Sequence, residues 1–350
     1  MTDRDEVAAL KVRVDQVLGR FVAQETDQLL AIDTALGPVA DQVEAAVAQG
    51  KRLRAAFCYW GWRAAGQPDS DALVRAAASM ELVHAAAVVH DDIIDDSRLR
   101  HGGPTAHVAL RAALRGRPRG ATAARALAML VGDLLMSLAG QLFATSGLPA
   151  AYLARARPLW AALARDLIAG ECLELLRTGG EPDTAQSLQV IRYKSAKYTV
   201  EQPLLIGGVL AGAGQGLQEG YSRYGLPLGE AFQLRDDLLG LFGDTELTGK
   251  ANTDDLRAHR PTALLAETWK AAGDADRERL RTLLGRRDAG PDSLTAVREV
   301  MSRLKAPDRI EQMITVRVEE ATRALDDLDL PAHAAQALTH LAHAAAVRRH

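Results

Sequence analysis

The sequence predicts an all-α protein, a single domain of helices packed around a central cavity. Three observations lead there. Alanine and leucine dominate, while aromatic residues make up only 4% of the chain. Strand-favouring residues seldom alternate with polar ones, so the period-2 signature of a half-buried strand is missing. Apolar stretches with helical spacing fill nearly the whole length, and glycine–proline breakers fall between them.

Taken in order, helices are expected at roughly 4–22, 25–48 and 52–65, the last closed by Gly66-Gln67-Pro68. The next, roughly 71–96, is apolar on most faces and should be central. Gly102-Gly103-Pro104 and Gly116-Arg117-Pro118 separate it from a helix at roughly 121–145. One at roughly 151–177 stops before Gly179-Gly180-Glu181-Pro182, and roughly 184–213 and 218–242 follow up to the Gly243–Gly249 loop. The rest reads as roughly 261–285, a break at Gly290-Pro291, then 291–304, 307–327 and 332–347. No Ser/Gly linker, low-complexity tract or fixed-period repeat divides the 350 residues, so 1–350 are expected to form one domain.

Composition narrows the function classes. A formal charge of -3 and a pI near 6.3 give no sign of a nucleic-acid binder. Cys58 and Cys172 are too few for a disulfide framework and fit a reducing compartment. The N-terminus carries acids and no apolar core, unlike a signal peptide. The longest uninterrupted apolar run, Pro203 to Gly214, is shorter and more glycine-rich than a membrane span of about 20 residues. A soluble, cytoplasmic protein with no membrane span is expected.

Two acidic clusters carry the chemistry. Asp91-Asp92-Ile93-Ile94-Asp95-Asp96 and Asp236-Asp237 each end an apolar helical stretch. A helix C-terminus carries partial negative charge, so acids there lie against the dipole. Asp91 and Asp95, like Asp92 and Asp95, share a helical face, where like charges repel. A solvated helix end would tolerate this. A divalent cation explains it better, because Mg²⁺ takes one or two carboxylates plus substrate phosphates. The preceding segment, Met80 to His90, is almost wholly apolar, so its end should open into the interior. Arg98, Arg100 and His101 follow at once, and acids for metal beside bases for phosphate compose a diphosphate site. Two such clusters facing each other would grip a metal–diphosphate.

His90-Asp91-Asp92-Ile93-Ile94-Asp95-Asp96, followed by Leu99-Arg100-His101-Gly102-Gly103-Pro104-Thr105, resembles the first aspartate-rich motif of the trans-isoprenyl diphosphate synthases, or polyprenyl synthetases. Gly229-Glu230-Ala231-Phe232-Gln233-Leu234-Arg235-Asp236-Asp237 resembles the second, with Gly240 in place of its last aspartate and Asp244 close by. Gly50-Lys51-Arg52-Leu53-Arg54 resembles the family's GKRLRP segment, with Ala55 for the proline. Lys194-Ser195 resembles its KT pair. Gly249-Lys250 and Asp255 to Thr262 resemble two further segments, with His259 and Arg260 for a Gly-Lys pair.

The resemblance implies an isoprenoid synthase-like fold of antiparallel helices around a deep cavity, and a homodimer. It implies Mg²⁺-dependent head-to-tail transfer, in which isopentenyl diphosphate condenses with dimethylallyl, geranyl or farnesyl diphosphate. Asp91, Asp92, Asp95, Asp236 and Asp237 would hold the metal. Lys51, Arg54, His84 and His101 would hold isopentenyl diphosphate, with His101 standing where the family has an arginine. Arg100, Lys194, Ser195, Gln233, Lys250 and Arg260 would hold the allylic diphosphate, and Glu174 would lie near them. Asp91, Asp92, Asp95, Asp236, Lys194 and Lys250 are the expected catalytic set. The floor that limits chain length would comprise Ala86, Ala87, Val83 and Met80, with Met136 from the next helix. Two alanines below Asp91 leave room for geranylgeranyl diphosphate. Two other readings stand beside this one: a class I terpene cyclase-like enzyme, and a non-catalytic subunit of a heteromeric prenyltransferase. His101 points to the first; the intact aspartates oppose the second.

Overall fold

The computed structural model describes residues 3–243, 252–286 and 288–346. Their regular elements are helices, apart from one hairpin of two two-residue strands. Contacts sort the chain into two compact units, Met1–Arg157 with Ile206–Gly212, and Pro158–Leu205 with Ala213–His350.

The first unit begins with α1 (Asp3–Ile32), a 3₁₀ turn (Thr34–Leu36) and α2 (Gly37–Val47). The expected break near residue 23 is absent. The real one is at Asp33, whose side chain accepts from Ala35 N at 2.8 Å, and Pro38 then starts α2. Next come α3 (Leu53–Ala64) and α4 (Asp71–Ile94), the latter capped by Ser70. The hairpin β1 (Leu99–Arg100) and β2 (Gly103–Pro104) leads to α5 (Ala106–Ala113) and α6 (Gly120–Ala144).

Helix α4 is the axis of this unit. Leu73, Val74, Ala76, Ala77, Met80, Leu82, Val83 and Ala86 are buried on it, and the alanines among them let neighbours come close. Gly132 of α6 is such a neighbour: a Cβ there would lie 2.2 Å from the His90 ring. Gly207 likewise sits on the α3 backbone, where a Cβ would be 1.9 Å from Cys58 O. Alanine at either glycine overpacks the contact, which costs about 1–3 kcal/mol.

Two helices, α4 and α6, are long and apolar enough to cross a membrane by length and composition. Scattered polar residues break both, so neither forms an uninterrupted apolar run in the sequence. In α4 72% of the apolar window is buried, as in a core helix; in α6 only 44% is.

The second unit contains the rest of α7 (Ala150–Arg177), then α8 (Thr184–Val190), a π-helix (Ile191–Glu201) and the start of α9 (Gln202–Ala211), whose remainder from Ile206 belongs to the first unit. The single helix expected at 184–213 is thus three segments. The π-helix runs between glycines: a Cβ at Gly170 of α7 would lie 2.2 Å from Lys194 N. After it comes α10 (Gln215–Phe242), where a Cβ at Gly229 would lie 2.5 Å from Ala196 Cα. Then follow α11 (Asn252–Ala258), α12 (Ala263–Ala271), α13 (Asp274–Leu283), α14 (Pro291–Arg303), α15 (Ala306–Asp326) and α16 (Ala332–Ala346). Leu234, Leu238, Leu264, Leu265, Val297 and Ile310 build its core. Fully buried Tyr224 donates its hydroxyl to Leu338 O at 2.7 Å, which ties α16 to α10.

Candidate active site

In the first unit the site is built on the end of α4. The helix stops because Asp96 turns left-handed (φ 54°), and Ser97 N then closes on Asp92 O at 3.0 Å. Arg125 of α6 holds Asp96 at 2.6 Å. This stop fixes where the aspartates point. Through its last three turns α4 is buried at Ala85, Ala86, Val89 and Asp92, while His84, Ala87, Val88, Asp91 and Asp95 are only part-buried. His84, Ala87, Val88, Asp91 and Asp95 recur at helical spacing and form one open stripe.

Asp92 points the other way. It is 3% exposed and accepts from Arg100 Nε at 3.1 Å, with a second, shorter bond from Nη2. Arg100 Nη2 also lies 3.8 Å from Asp91. So the middle aspartate holds Arg100 from below. The hairpin that carries Arg100 turns at His101 (φ 50°) and Gly102 (φ 78°), both left-handed. Two-residue hairpin turns of that type need positive φ at both positions, and histidine tolerates it better than bulky residues do. His101 is therefore exposed at the hairpin tip, while Arg100 lies part-buried behind it.

His84 reports the local field. Burial, then the charges of Arg54, Arg100, Arg52 and His101, push its pKa well below the ordinary histidine value. The ring is thus held in its neutral form, within electrostatic reach of those basic groups. Arg54 is buried at the start of α3 and Lys51 is exposed just before it. Arg54, His84, Arg100 and His101 are thereby gathered in one cationic neighbourhood, as an anion site requires.

Sequence reasoning missed Glu81. It is 2% exposed and accepts from Ala55 N at 2.9 Å, which stands in for a side-chain cap at the start of α3. The signal was present: Glu81 is the lone acid in the apolar segment Met80 to His90. Of the expected floor residues, Met80, Val83 and Ala86 are fully buried, and Ala87 lies on the stripe. Met136 of α6 is part-buried.

In the second unit, Asp236 is exposed and Asp237 part-buried on α10. Ser195 Oγ donates to Gln233 Oε1 at 2.6 Å, and Gln233 Nε2 donates to Asp237 at 2.8 Å. This relay runs from the π-helix to the second acid. Lys194 Nζ is bridged to Glu171 at 2.7 Å and Glu174 at 2.5 Å, and Arg260 Nε lies 4.0 Å from Glu174. Asp237, His259, Arg260 and Thr262 line one narrow pocket. Lys250 and Asp244 lie outside the described residues.

Carboxylates one turn apart on an open stripe supply the hard oxygen donors that Mg²⁺ prefers. Among the described residues no three His, Cys, Asp or Glu side chains converge, so such an ion would take further ligands from phosphate and water.

Acids spaced for a hard cation, on a helix whose histidine lies within electrostatic reach of basic groups, define a class: helical proteins that handle metal-bound diphosphates. Residues 38–301 match the polyprenyl synthetase family model, and the chain belongs to that family, the trans-prenyl diphosphate synthases. It is 31% identical to the geranylfarnesyl diphosphate synthase of Aeropyrum pernix, over 78% of this chain and 82% of that one. It is 32% identical to the (2E,6E)-farnesyl diphosphate synthase of Mycobacterium bovis, over 84% and 78%. Among solved structures, the geranylgeranyl pyrophosphate synthase of Corynebacterium glutamicum, complexed with isoprenyl diphosphate and magnesium, superposes with a TM-score of 0.92. It is 31% identical and the match covers 97% of this chain and 98% of that one.

Proposed function

We propose that the chain condenses isopentenyl diphosphate with an allylic diphosphate in a trans, head-to-tail reaction whose product is geranylgeranyl diphosphate. One observation carries this reading: the open stripe of α4 pairs Asp91 and Asp95 with His84, two turns earlier and within electrostatic reach of basic groups. The basic groups around His84 speak for a second diphosphate and against a cyclase acting on one substrate. Intact Asp91 and Asp95 speak against a non-catalytic subunit.

In this reading Lys51, Arg54 and His84 bind and orient isopentenyl diphosphate. Lys194, Ser195, Gln233 and Arg260 bind the allylic diphosphate, and Lys194 and Arg260 put fixed charge where negative charge develops. Asp91 and Asp95 of the first unit and Asp236 of the second would hold Mg²⁺, which would supply positive charge for a departing diphosphate. Arg100 reinforces the same field, held in place by Asp92. Ala87 leaves room on the stripe for a growing chain, and Val83 and Met80 close it further down.

The family match spans residues of both units, which supports one working domain. Exposed apolar side chains support a homodimer: Met129 and Leu130 on α6 are 50% and 54% exposed, and, in the second unit, Ile168 and Leu176 on α7 are 55% and 83%. A second copy would cover them. The scarcity of cysteines, two in 350 residues, supports a cytoplasmic location.

The test is to incubate the purified chain with Mg²⁺, isopentenyl diphosphate and each of three allylic starters, then size the products. Geranylgeranyl diphosphate is expected from all three. Termination at farnesyl diphosphate, or extension well beyond geranylgeranyl, would overturn the product; absence of any elongation would overturn the activity.

A further inference from the structure

We infer that Asp15, on the N-terminal helix, is a positioning residue for isopentenyl diphosphate: through Arg52 it sets the loop that presents Lys51 and leads to Arg54. The inference rests on reading Lys51, Arg54 and His84 as the isopentenyl diphosphate groups.

Arg52 is not aimed at a ligand. It is 6% exposed, and its guanidinium is engaged on three sides. Nε donates to Asp15 Oδ1 at 2.7 Å, Nη1 to Gln49 O at 3.0 Å and Nη2 to Val47 O at 2.5 Å. Val47 O is among the carbonyls that a helix C-terminus leaves without intrahelical partners, and Gln49 O lies in the loop just beyond α2. Arg52 also has a left-handed backbone (φ 56°), and its own carbonyl accepts from Ala56 N at 3.0 Å to start α3. One residue thus joins α1, the end of α2 and the start of α3.

Gly50 completes the arrangement. Its φ of +145° lies where side chains are rare, and a Cβ there would be 2.9 Å from Arg52 Nη1. Glycine is needed both for the turn and for the guanidinium lying over it. Lys51 sits between these two constrained residues, and Arg54 lies within the first turn of α3. Despite partial burial, hydrogen bonds from Lys11 and Arg52 hold Asp15 below the usual carboxylate range, so it is an anion when the enzyme works.

Without the Asp15 charge, Arg52 is a buried cation lacking its counter-ion. Its escape toward water would release the Val47 and Gln49 carbonyls and loosen residues 48–52. Lys51 and Arg54 would then have to be ordered at the moment of binding, and affinity for the substrate they hold would fall. Lys194, Ser195 and Arg260, read as the allylic groups, belong to the second unit, so the allylic substrate should be unaffected.

The experiment compares Asp15→Asn, Asp15→Glu, Arg52→Lys, Lys11→Ala and Lys51→Ala by steady-state kinetics with each substrate varied in turn, alongside thermal melting. Asp15→Asn is expected to raise KM for isopentenyl diphosphate about tenfold and to leave KM for the allylic substrate within about twofold. Asp15→Glu should restore most of the loss. Arg52→Lys keeps a cation near Asp15 but cannot reach both carbonyls, and it should raise the same KM in a chain that still folds. Lys11→Ala should match the wild type. An unchanged KM for isopentenyl diphosphate in Asp15→Asn and Arg52→Lys would overturn the inference. So would equal rises in both KM values that follow the loss in melting temperature, the pattern of a merely structural residue. If Lys51→Ala also leaves that KM unchanged, the assignment of the binding site itself fails, and the inference with it.

Discussion

Arg100 and Asp92 form an ion pair on the buried side of α4, with Arg100 Nε 3.1 Å from Asp92 Oδ1 and Asp92 only 3% exposed. The middle acid of the first motif thus faces protein, while Asp91 and Asp95 face the open stripe. Removing one partner of a buried pair leaves an uncompensated charge, which costs about 3–5 kcal/mol. Asp92→Ala should therefore destabilise by about 3 kcal/mol in urea unfolding. The Asp92→Ala/Arg100→Met double variant should lose much less than the sum of the single losses.

His84 gives a pH prediction. Its folded pKa lies below the ordinary value of 6.5, so the unfolded chain binds more protons over the interval between the two. Its contribution to stability is then complete above pH 6.5 and is lost as pH falls from 6.5 toward the folded pKa. His84→Asn should flatten stability against pH in that window. A bound diphosphate adds negative charge beside the ring and raises its pKa. Binding of inorganic diphosphate near neutral pH should therefore take up more protons, or release fewer, in the wild type than in His84→Asn, measurable by calorimetry in buffers of different ionisation enthalpy.

Lys194 lies between two carboxylates, Glu171 at 2.7 Å and Glu174 at 2.5 Å. These orient it and also compete with a diphosphate. Glu174→Gln keeps a hydrogen-bond acceptor and removes one competing charge, so KM for the allylic substrate should fall severalfold. Lys194→Ala removes a fixed charge from the leaving diphosphate, and kcat should fall about 100-fold.

Ala87 is part-buried on the stripe, whereas Ala86 is fully buried. Ala87→Phe should fill the space for the growing chain and shorten the product, read by chromatography of the dephosphorylated alcohols. An unchanged product would place the floor elsewhere.

Much of this was legible in the sequence because it depends on local pattern. Apolar periodicity located α4 and α10, and acids at the ends of apolar helices marked both clusters. What stayed hidden depends on distant partners. The π-helix at Ile191–Glu201 is seated by Gly170 and Gly229, which lie on other helices and leave no periodic mark around Lys194. Asp33 caps a turn in a stretch that otherwise reads as continuous helix. Arg52 and Lys51 are adjacent cations in the chain, and the contacts of Arg52, with the Val47 and Gln49 carbonyls and with Asp15 37 residues away, mark the buried one off from the exposed one. Likewise Asp91 and Asp92 read as two equivalent metal ligands until the structure buries Asp92 under Arg100 and leaves Asp91 part-buried.

The most direct test of the account is prenyl transfer from isopentenyl and farnesyl diphosphates with Mg²⁺, by the wild type and by Asp91→Ala in parallel. The account expects geranylgeranyl diphosphate from the wild type and a rate at least about 1000-fold lower from a folded Asp91→Ala. Near-normal transfer by that variant, or no transfer by the wild type, would contradict it.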